Sequence, residues 1–325
     1  MSTTRIVNHW AIGLGALLVL AGAGYVSGNA MIQEWILQFF CFGLFAMSVN
    51  LMVNTGGMLS FGHGMYFGLG AYAFCLLLRA GFSVLGAFAL TIIIAALIST
   101  VLSIVIVRLE GIFFSFITLA VQMLMFAIVM AWSGLTGGEQ GLIGGIPHPP
   151  FFGIDLSNPW HLYGFSTAVF IISIAVMYAV NRSPLAVAMR LVRDNPQRAN
   201  LTGIHVLRYR AGWSVIASIF SAIGGLLMGL HISGAYPNFM YWTISGEGLF
   251  MIMLGGIGLF YGPLVGAAFL IVLNGIINKF GLPHDMVVGV LILVVVLGPK
   301  KGLLESLSQM LGRGCARPSA KAKEV

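Results

Sequence analysis

Charged side chains are scarce in this sequence. Asp, Glu, Lys and Arg make up only 8% of its 325 residues, whereas soluble domains average roughly 25%. Apolar residues account for 59% of the chain, and its mean hydropathy is +0.99. A soluble core of this length does not bury so much apolar surface. The composition therefore excludes a soluble domain and predicts an all-α polytopic membrane protein.

Cysteine and catalytic motifs are also lacking. The three cysteines, Cys41, Cys75 and Cys315, are odd in number and two lie in apolar runs, so neither a disulfide framework nor a metal site is indicated. The phosphate-binding pattern G-x-x-x-x-G-K-[ST] and the zinc pattern H-E-x-x-H do not occur. Asp, Glu and His residues that could relay protons within the apolar runs, as in proton-driven carriers, are few. We expect no cofactor in this chain and an energy source outside it.

The few charges are unevenly distributed. The net charge is +7, of which residues 181–210 contribute six basic and one acidic residue, and residues 300–325 contribute six basic and two acidic ones. Basic loops of membrane proteins stay on the cytoplasmic side. We therefore expect both segments to face the cytoplasm, and we interpret the positive charge as a determinant of membrane orientation rather than a nucleic-acid surface.

Apolar runs of about 20 residues each are long enough to cross a bilayer. They predict about ten spans in a transmembrane domain of residues 1–299, followed by the basic tail 300–325. The predicted spans, some short or discontinuous, are 10–26, 32–53, 63–78, 84–107, 112–132, 162–180, 211–230, 248–260, 263–277 and 286–297. With both termini in the cytoplasm, the loop 133–161 lies outside, and it contains Glu139 and Asp155 but no Lys or Arg.

The first apolar run admits two interpretations. Arg5 precedes it, and Ala21-Gly22-Ala23 resembles a signal-peptide cleavage site. The alternation of loops across the membrane favours an uncleaved first span instead.

The polar loop 181–210 has the signals of a folded segment. Ser183 followed by Pro184 is typical of a helix start, which predicts a helix over residues 185–193. Asn195 and Pro196 repeat that pattern and predict a second short helix over residues 196–202, ended by Gly203. The alternative is a solvated basic loop that only sets topology.

Two glycine-interrupted segments, 54–70 and 247–266, lie in the two halves of the chain. Broken backbone at membrane depth occurs where protein or a water-filled cavity satisfies its polar groups, and paired segments of this kind indicate a transport pathway. The candidate pathway residues are Asn54, Thr55, Gly57, Ser60, His63, Glu247 and Gly256.

Structural roles remain open for the same residues. Glycines in membrane helices are more often packing contacts, and a lone histidine without ligating neighbours is more often a hydrogen-bonding group. Glu247 either complements a helix start or meets an ammonium group, and Gln122 is suited to an interhelical hydrogen bond.

Four blocks and one late stretch together resemble a known family. They are residues 48–51 with 55–64 and 67–72, then 108–114 with 118–120, then 136–138 with 141–142 and 145–147, then 183–184 with 190, 193–195, 202–204 and 209, and lastly 253–258 with 262–263 and 266–267. In this order they resemble the inner-membrane permeases of ABC importers for branched-chain amino acids, and specifically the longer of the two permease subunits.

The resemblance implies the rest of a machine in the bacterial inner membrane. Such a permease pairs with a homologous second permease, two cytoplasmic ATP-binding subunits and a periplasmic substrate-binding protein. The matching loop contacts the ATPase, which implies coupling roles for Arg190, Arg193, Asp194, Asn195 and Gly203. Where many relatives have an acidic, alanine-rich helix, this chain has Gln197-Arg198-Ala199-Asn200, so the resemblance implies the docking itself but not its exact contacts.

The implied function is import of branched-chain amino acids by alternating access, with ATP hydrolysed by partner chains. Permeases for urea or short amides share the same blocks and stay open as alternatives. From other classes, a self-powered secondary transporter and an intramembrane enzyme also compete, although the second lacks an evident pair of reactive groups.

Overall fold

The computed structural model describes residues 22, 24–25, 29–144, 146–147, 155–256, 258–280 and 289–290. This part of the chain is predominantly helical. Its helices are α1 (Ala30–Asn50), α2 (His63–Arg79), α3 (Val84–Ile106), α4 (Gly111–Ala131), α5 (Ser133–Thr136), α6 (Pro159–Arg182), α7 (Pro184–Asp194), α8 (Pro196–Leu201), α9 (Val206–Ile232), α10 (Trp242–Gly255) and α11 (Gly262–Phe280). A π-helical turn, Leu51–Thr55, extends α1, and 3₁₀ turns cover Gly138–Gln140 and Pro237–Met240.

Five helices of the described residues are long and apolar enough to cross a membrane. They are Met31–Thr55, Val84–Ile106, Gly111–Ala131, Pro159–Arg182 and Val206–Ile232, and each coincides with a predicted span. The predicted number of about ten is not confirmed. Helices α2 and α11 occupy two further predicted spans but are shorter or less apolar. The predicted spans 10–26 and 286–297 lie outside the described residues, apart from residues 22, 24–25 and 289–290.

The predicted span 248–260 is wrong at both ends. Helix α10 begins at Trp242 and ends at Gly255. The polar residues around Gly246 made the sequence pattern start too late, although these residues are helical. Gly256, at φ +100°, ends the helix and turns the chain towards α11.

One small β-ladder departs from the predicted all-α fold. Strand β1 (Leu142–Ile143) pairs antiparallel with β2 (Gly234–Ala235), with Leu142 opposite Ala235. The ladder fastens the loop that follows α4 and α5 to the end of α9. We infer that it lies on the same side of the protein as the predicted outer loop 133–161, because both strands follow helices that run in that direction.

Helices α1, α2 and α9 form the centre of the described structure. The fully buried side chains include Phe45 of α1, Phe67 of α2 and Trp213 of α9. Close packing depends on small residues: a Cβ atom at Gly225 of α9 would lie 1.7 Å from the carbonyl oxygen of Phe67. Membrane helices pack most tightly where small residues bring their backbones together, and this contact brings α9 onto α2.

Candidate functional site

The chain between α1 and α2 is a broken segment that returns into the protein before the next helix begins. The π-helical turn brings the Gly56 amide to the Leu51 carbonyl at 3.0 Å, and the indole Nε1 of Trp213 donates to the same carbonyl at 2.7 Å. Residues 56–62 are not helical, and α2 starts at His63. We call residues 51–62 the broken segment.

Two side chains of α4 satisfy the backbone of the broken segment. The Ser115 hydroxyl donates to the Leu59 carbonyl at 2.7 Å, and the Phe61 amide donates to the Thr118 hydroxyl at 3.2 Å. Ser60, a predicted pathway residue, is buried and accepts from the Gly62 amide at 3.2 Å. These backbone groups are therefore satisfied by protein, as a break inside a membrane requires.

His63 is the first residue of α2 and is 1% exposed. Its Nε2 lies 3.1 Å from the hydroxyl of Ser48, which itself donates to the Phe45 carbonyl at 2.6 Å. The hydroxyl hydrogen is thus committed, so the ring donates from Nε2. Nδ1 has no hydrogen-bond partner within the described residues. The contact with Ser48 fixes the start of α2 against α1.

The starts of α2 and α10 meet each other. The Gly64 amide donates to the Ser245 hydroxyl at 2.8 Å, and this hydroxyl donates to Oε1 of Gln122 at 2.7 Å. Nε2 of Gln122 then donates to the Tyr241 carbonyl at 2.8 Å. We call this buried chain of hydrogen bonds the central network. It confirms that Gln122 is an interhelical hydrogen-bonding residue, and it contains Ser245, which the sequence pattern did not single out.

The central network lies halfway along a long span. Gln122 is the twelfth of the 21 residues of α4, so the starts of the two short helices lie near the middle of the span rather than at either of its ends. The N-terminus of an α-helix carries a partial positive charge and amide groups without helical partners. Two such ends converge here, which makes this point a candidate site for an anionic group.

Space at this point is small in the present conformation. A small cavity of about 20 Å³ lies beside His63, with Ser60, Tyr66 and Thr118 in its wall. That volume suffices for about one water molecule. A larger molecule would fit here only after the two helix starts had separated.

The predicted structure of the polar loop is confirmed. The Ser183 hydroxyl accepts from the Ala186 amide at 3.4 Å at the start of α7, and Oδ1 of Asn195 accepts from the Arg198 amide at 2.9 Å at the start of α8. Gly203 follows α8 with φ +85°. These local signals fix two short helices in succession between α6 and α9.

Helix α7 holds arginines against the protein itself. Nη2 of Arg190 donates to the backbone carbonyl of Asn181 at 2.6 Å, and Oδ1 of Asn181 accepts from the Thr55 hydroxyl at 2.9 Å. Arg193 is held by Asp194 through Nε at 2.9 Å and donates from Nη1 to the Asn54 carbonyl. Residues predicted for two separate roles, coupling and pathway, thus form one cluster.

Gly57 completes this cluster. Its φ of +65° suits glycine, and a Cβ atom there would lie 2.3 Å from Cγ of Arg193. The guanidinium stem therefore packs directly on the backbone of the broken segment. We call Arg190, Arg193, Asn181, Thr55 and Gly57, with the Asn54 carbonyl, the clamp.

Glu247 and Gly256 do not join these residues as predicted. Glu247 is the sixth residue of α10, so it does not open the helix and cannot complement its first turn. Gly256 follows the opposite end of α10 from Ser245, roughly 16 Å away at 1.5 Å per residue. Ser245 of α10 and the preceding Tyr241, which do take part in the central network, lie before the second glycine-interrupted segment rather than in it.

A groove of about 690 Å³ opens beside the broken segment. Gly57, Met58 and Leu59 form one wall, and the start of α4 forms the other. At its edge Nη1 of Arg210 lies 2.7 Å from Oε1 of Glu110. Within the described residues no group of three potential ligands could hold a metal ion.

Comparison with known proteins identifies the family. The sequence model described as "Branched-chain amino acid transport system / permease component" matches residues 31–297. The chain belongs to this permease family. It is therefore a transport component and a multi-pass membrane protein, in agreement with its five long apolar helices.

Individual relatives of this permease are more distant. It is 24% identical over 318 residues to the high-affinity branched-chain amino acid transport permease LivM of Salmonella typhimurium, covering 90% of this chain and 74% of the relative. The Escherichia coli K12 LivM gives the same values. The autoinducer 2 import permease LsrD of Escherichia coli K12 is also 24% identical, over 97% of this chain and 99% of the relative. No solved structure matches.

Proposed function

We propose that the permease is a transmembrane subunit of an ATP-driven importer that moves branched-chain amino acids from the periplasm to the cytoplasm by alternating access. The observation that carries this proposal is the meeting of two helix starts at Gly64 and Ser245, halfway along α4. Such broken helices bind substrate near the middle of the membrane in several transporter folds.

The central network has the chemistry that a zwitterion requires. When α2 and α10 separate, the amides at their starts are released and become donors for the substrate carboxylate. Oε1 of Gln122 and the Ser245 hydroxyl become free to accept from the ammonium group. Phe45 and Met240, which are buried next to these helices, supply apolar contacts for a branched side chain.

The proposed machine places the chain in a bacterial inner membrane with both termini in the cytoplasm. A homologous permease, two cytoplasmic ATP-binding subunits and a periplasmic binding protein complete it. The chain itself needs no cofactor, because ATP is bound and hydrolysed by the partners. Helices α7 and α8 face the ATP-binding subunits, and the binding protein delivers the substrate from the other side.

Autoinducer 2 is a second candidate substrate, because the LsrD relatives align over nearly the whole length of both chains. Urea and short amides remain the alternatives from the family resemblance. All of these substrates would keep the same fold and partners.

Reconstitution tests the proposal. The permease is co-expressed with the second permease and ATP-binding subunits encoded beside it, placed in proteoliposomes, and supplied with the neighbouring binding protein and radiolabelled leucine. We expect uptake that needs ATP and that unlabelled isoleucine and valine suppress.

Other outcomes identify the alternatives. Competition by urea, acetamide or autoinducer 2, but not by valine, would change the substrate and keep the mechanism. Uptake by this chain alone in vesicles without ATP would show a self-powered carrier and refute the importer.

A further inference from the structure

We propose that Arg193 and Asn181 are positioning residues that carry the movement of the ATPase-facing helices to the broken segment. They do so through their hydrogen bonds to Asn54 and Thr55 of the broken segment, and not through contact with a partner subunit. This inference rests on the proposed function and specifies how the two ends of the machine are connected. It assigns to the loop arginines a role opposite in direction to the docking role that their sequence position implies.

The first step is the connection from α8 to α7. Leu201 of α8 is 88% exposed, whereas Ala199 on the same helix is 4% exposed. Helix α8 thus presents one face to the surroundings and buries the other. Asn195 alone separates α7 from α8, and its side chain caps α8. A displacement of α8 therefore moves α7 as well, because the single residue between them allows little independent movement.

The second step is the connection from α7 to the broken segment. Helix α7 buries Ala186, Met189 and Val192 in the protein, so it is held as a rigid lever. Arg193 reaches from its end to the Asn54 carbonyl, and Asp194 holds the guanidinium in that direction through two contacts of 2.9 Å. A charged donor fixed by a carboxylate makes a stronger and better oriented hydrogen bond than a neutral one.

A second, independent contact runs through Asn181. This residue lies in the last turn of α6, receives Arg190 on its carbonyl at 2.6 Å and on Oδ1 at 3.2 Å, and accepts from Thr55 at 2.9 Å. Two contacts on adjacent residues, Asn54 and Thr55, prevent the π-helical turn from pivoting about a single hydrogen bond.

The third step leads from the broken segment to the central network. The segment ends at Gly62, directly before the first residues of α2, and Gly64 bonds to Ser245. Displacement of Asn54 and Thr55 therefore alters the position of the α2 start relative to α10. Arg193 thus connects helices that face the ATP-binding subunits with the place where substrate is proposed to bind.

The test compares uptake with ATP hydrolysis in the same proteoliposomes, using the complete importer. Arg193→Ala is expected to leave hydrolysis within about twofold and to lower uptake per ATP hydrolysed by about tenfold, the size of a typical coupling between sites. Arg193→Lys keeps one donor for the Asn54 carbonyl and is expected to restore part of the uptake per ATP hydrolysed. Thr55→Val is expected to lower the ratio about twofold, because the Asn54 contact remains.

Arg198→Ala is the matched control. Arg198 is an exposed arginine of α8, on the face proposed for the partner, so any effect is expected to lower hydrolysis and uptake in parallel. A parallel fall for Arg193→Ala would overturn the proposal, since a docking residue or a merely structural one gives that result.

A distance measurement decides the proposal without requiring transport. Spin labels are attached through Leu59→Cys, on the broken segment, and Leu201→Cys, on α8, in the full chain with Cys315→Ser. We expect one narrow distance distribution that Arg193→Ala broadens and Arg198→Ala does not.

An unchanged distance distribution in the Arg193→Ala chain would show that Arg193 does not hold the broken segment, and would refute the proposal. If the wild-type importer fails to take up leucine while the labels behave as expected, the proposed substrate fails and the inference stands.

Discussion

Helices α1 and α9 differ from α3 and α4 in how far they are buried, although all four are apolar. In the most apolar stretch of each, 78% of the α1 residues and 72% of the α9 residues are buried within the chain, compared with 28% for both α3 and α4. Helix α3 is the most apolar of the four and nevertheless has large exposed side chains such as Leu97 and Val101. In a membrane, burial therefore follows small residues and hydrogen bonds rather than hydropathy, because lipid is as apolar as the core.

The strongest test of this comparison is Gly225→Ala in α9. The new Cβ atom would lie 1.7 Å from the Phe67 carbonyl oxygen, and backbone cannot move away as a flexible side chain can. We expect a loss of about 3 kcal/mol of stability, the upper range for overpacking. Unfolding by denaturing detergent, followed through tryptophan fluorescence, measures it.

Gly212→Ala in the same helix is the control. A Cβ atom there meets nothing within 4 Å, and alanine favours helix more than glycine, so stability should stay equal or rise slightly. Equal losses of stability for both variants would show that α9 tolerates no substitution at all, and that the close contact at Gly225 is not the cause.

The second test removes the same atoms from an inner and an outer helix. Leu44 of α1 is fully buried, whereas Leu97 of α3 is 61% exposed. Leu44→Ala leaves a cavity and is expected to cost about 2 kcal/mol, while Leu97→Ala should cost less than about 0.5 kcal/mol. The same unfolding assay applies. Equal costs would mean that a partner subunit covers Leu97 in the purified complex.

The third test concerns the central network. Ser245→Ala leaves the Gly64 amide and Oε1 of Gln122 without their bonds, at an expected cost of about 1 kcal/mol for a hydrogen bond between membrane helices. We expect leucine uptake to fall more than stability does. Thr100→Ala, which removes a hydroxyl bonded within α3, should change neither stability nor uptake. Similar effects of the two variants would show that the central network has no specific role in transport.

The smallest effect is expected at the edge of the groove. Glu110 pairs with Arg210 at 2.7 Å, but its side chain is 66% exposed. Exposed ion pairs contribute less than about 1 kcal/mol and are screened by salt. Glu110→Gln should lower stability by about 0.5 kcal/mol or less, and less still at high salt; a larger loss would indicate that the pair is covered in the assembled importer.

Sequence patterns correctly predicted those structural features that depend on residues close together in the chain. Ser183 and Asn195 cap helices a few residues away, so their roles are readable from the local order of residue types. The long apolar helices were predicted for the same reason. The start of α10 was not, because the polar residues before Glu247 depress the hydropathy of a segment that is helical.

The contacts of the candidate site depend on distant residues. Arg193 reaches Asn54 across 139 positions, and Ser245 reaches Gly64 across 181. A basic residue in a polar loop is equally compatible with docking outwards and with gripping inwards, and only the packing of α7 determines the direction. For the same reason the coupling residues and the pathway residues were predicted separately, although Arg193 contacts both Asn54 and Gly57.

In the π-helical turn at Leu51–Thr55 the hydrogen bond joins residues five apart, one more than in the α-helix that precedes it. Were this turn to become α-helical, every residue beyond it would rotate by about 100° around the axis of α1. The Leu51 carbonyl would exchange its bond to the Gly56 amide for one to Thr55, and Gly57 would leave the side chain of Arg193. Trp213 donates to the same carbonyl, so a one-residue change of helical register would take place at a carbonyl that already accepts two hydrogen bonds.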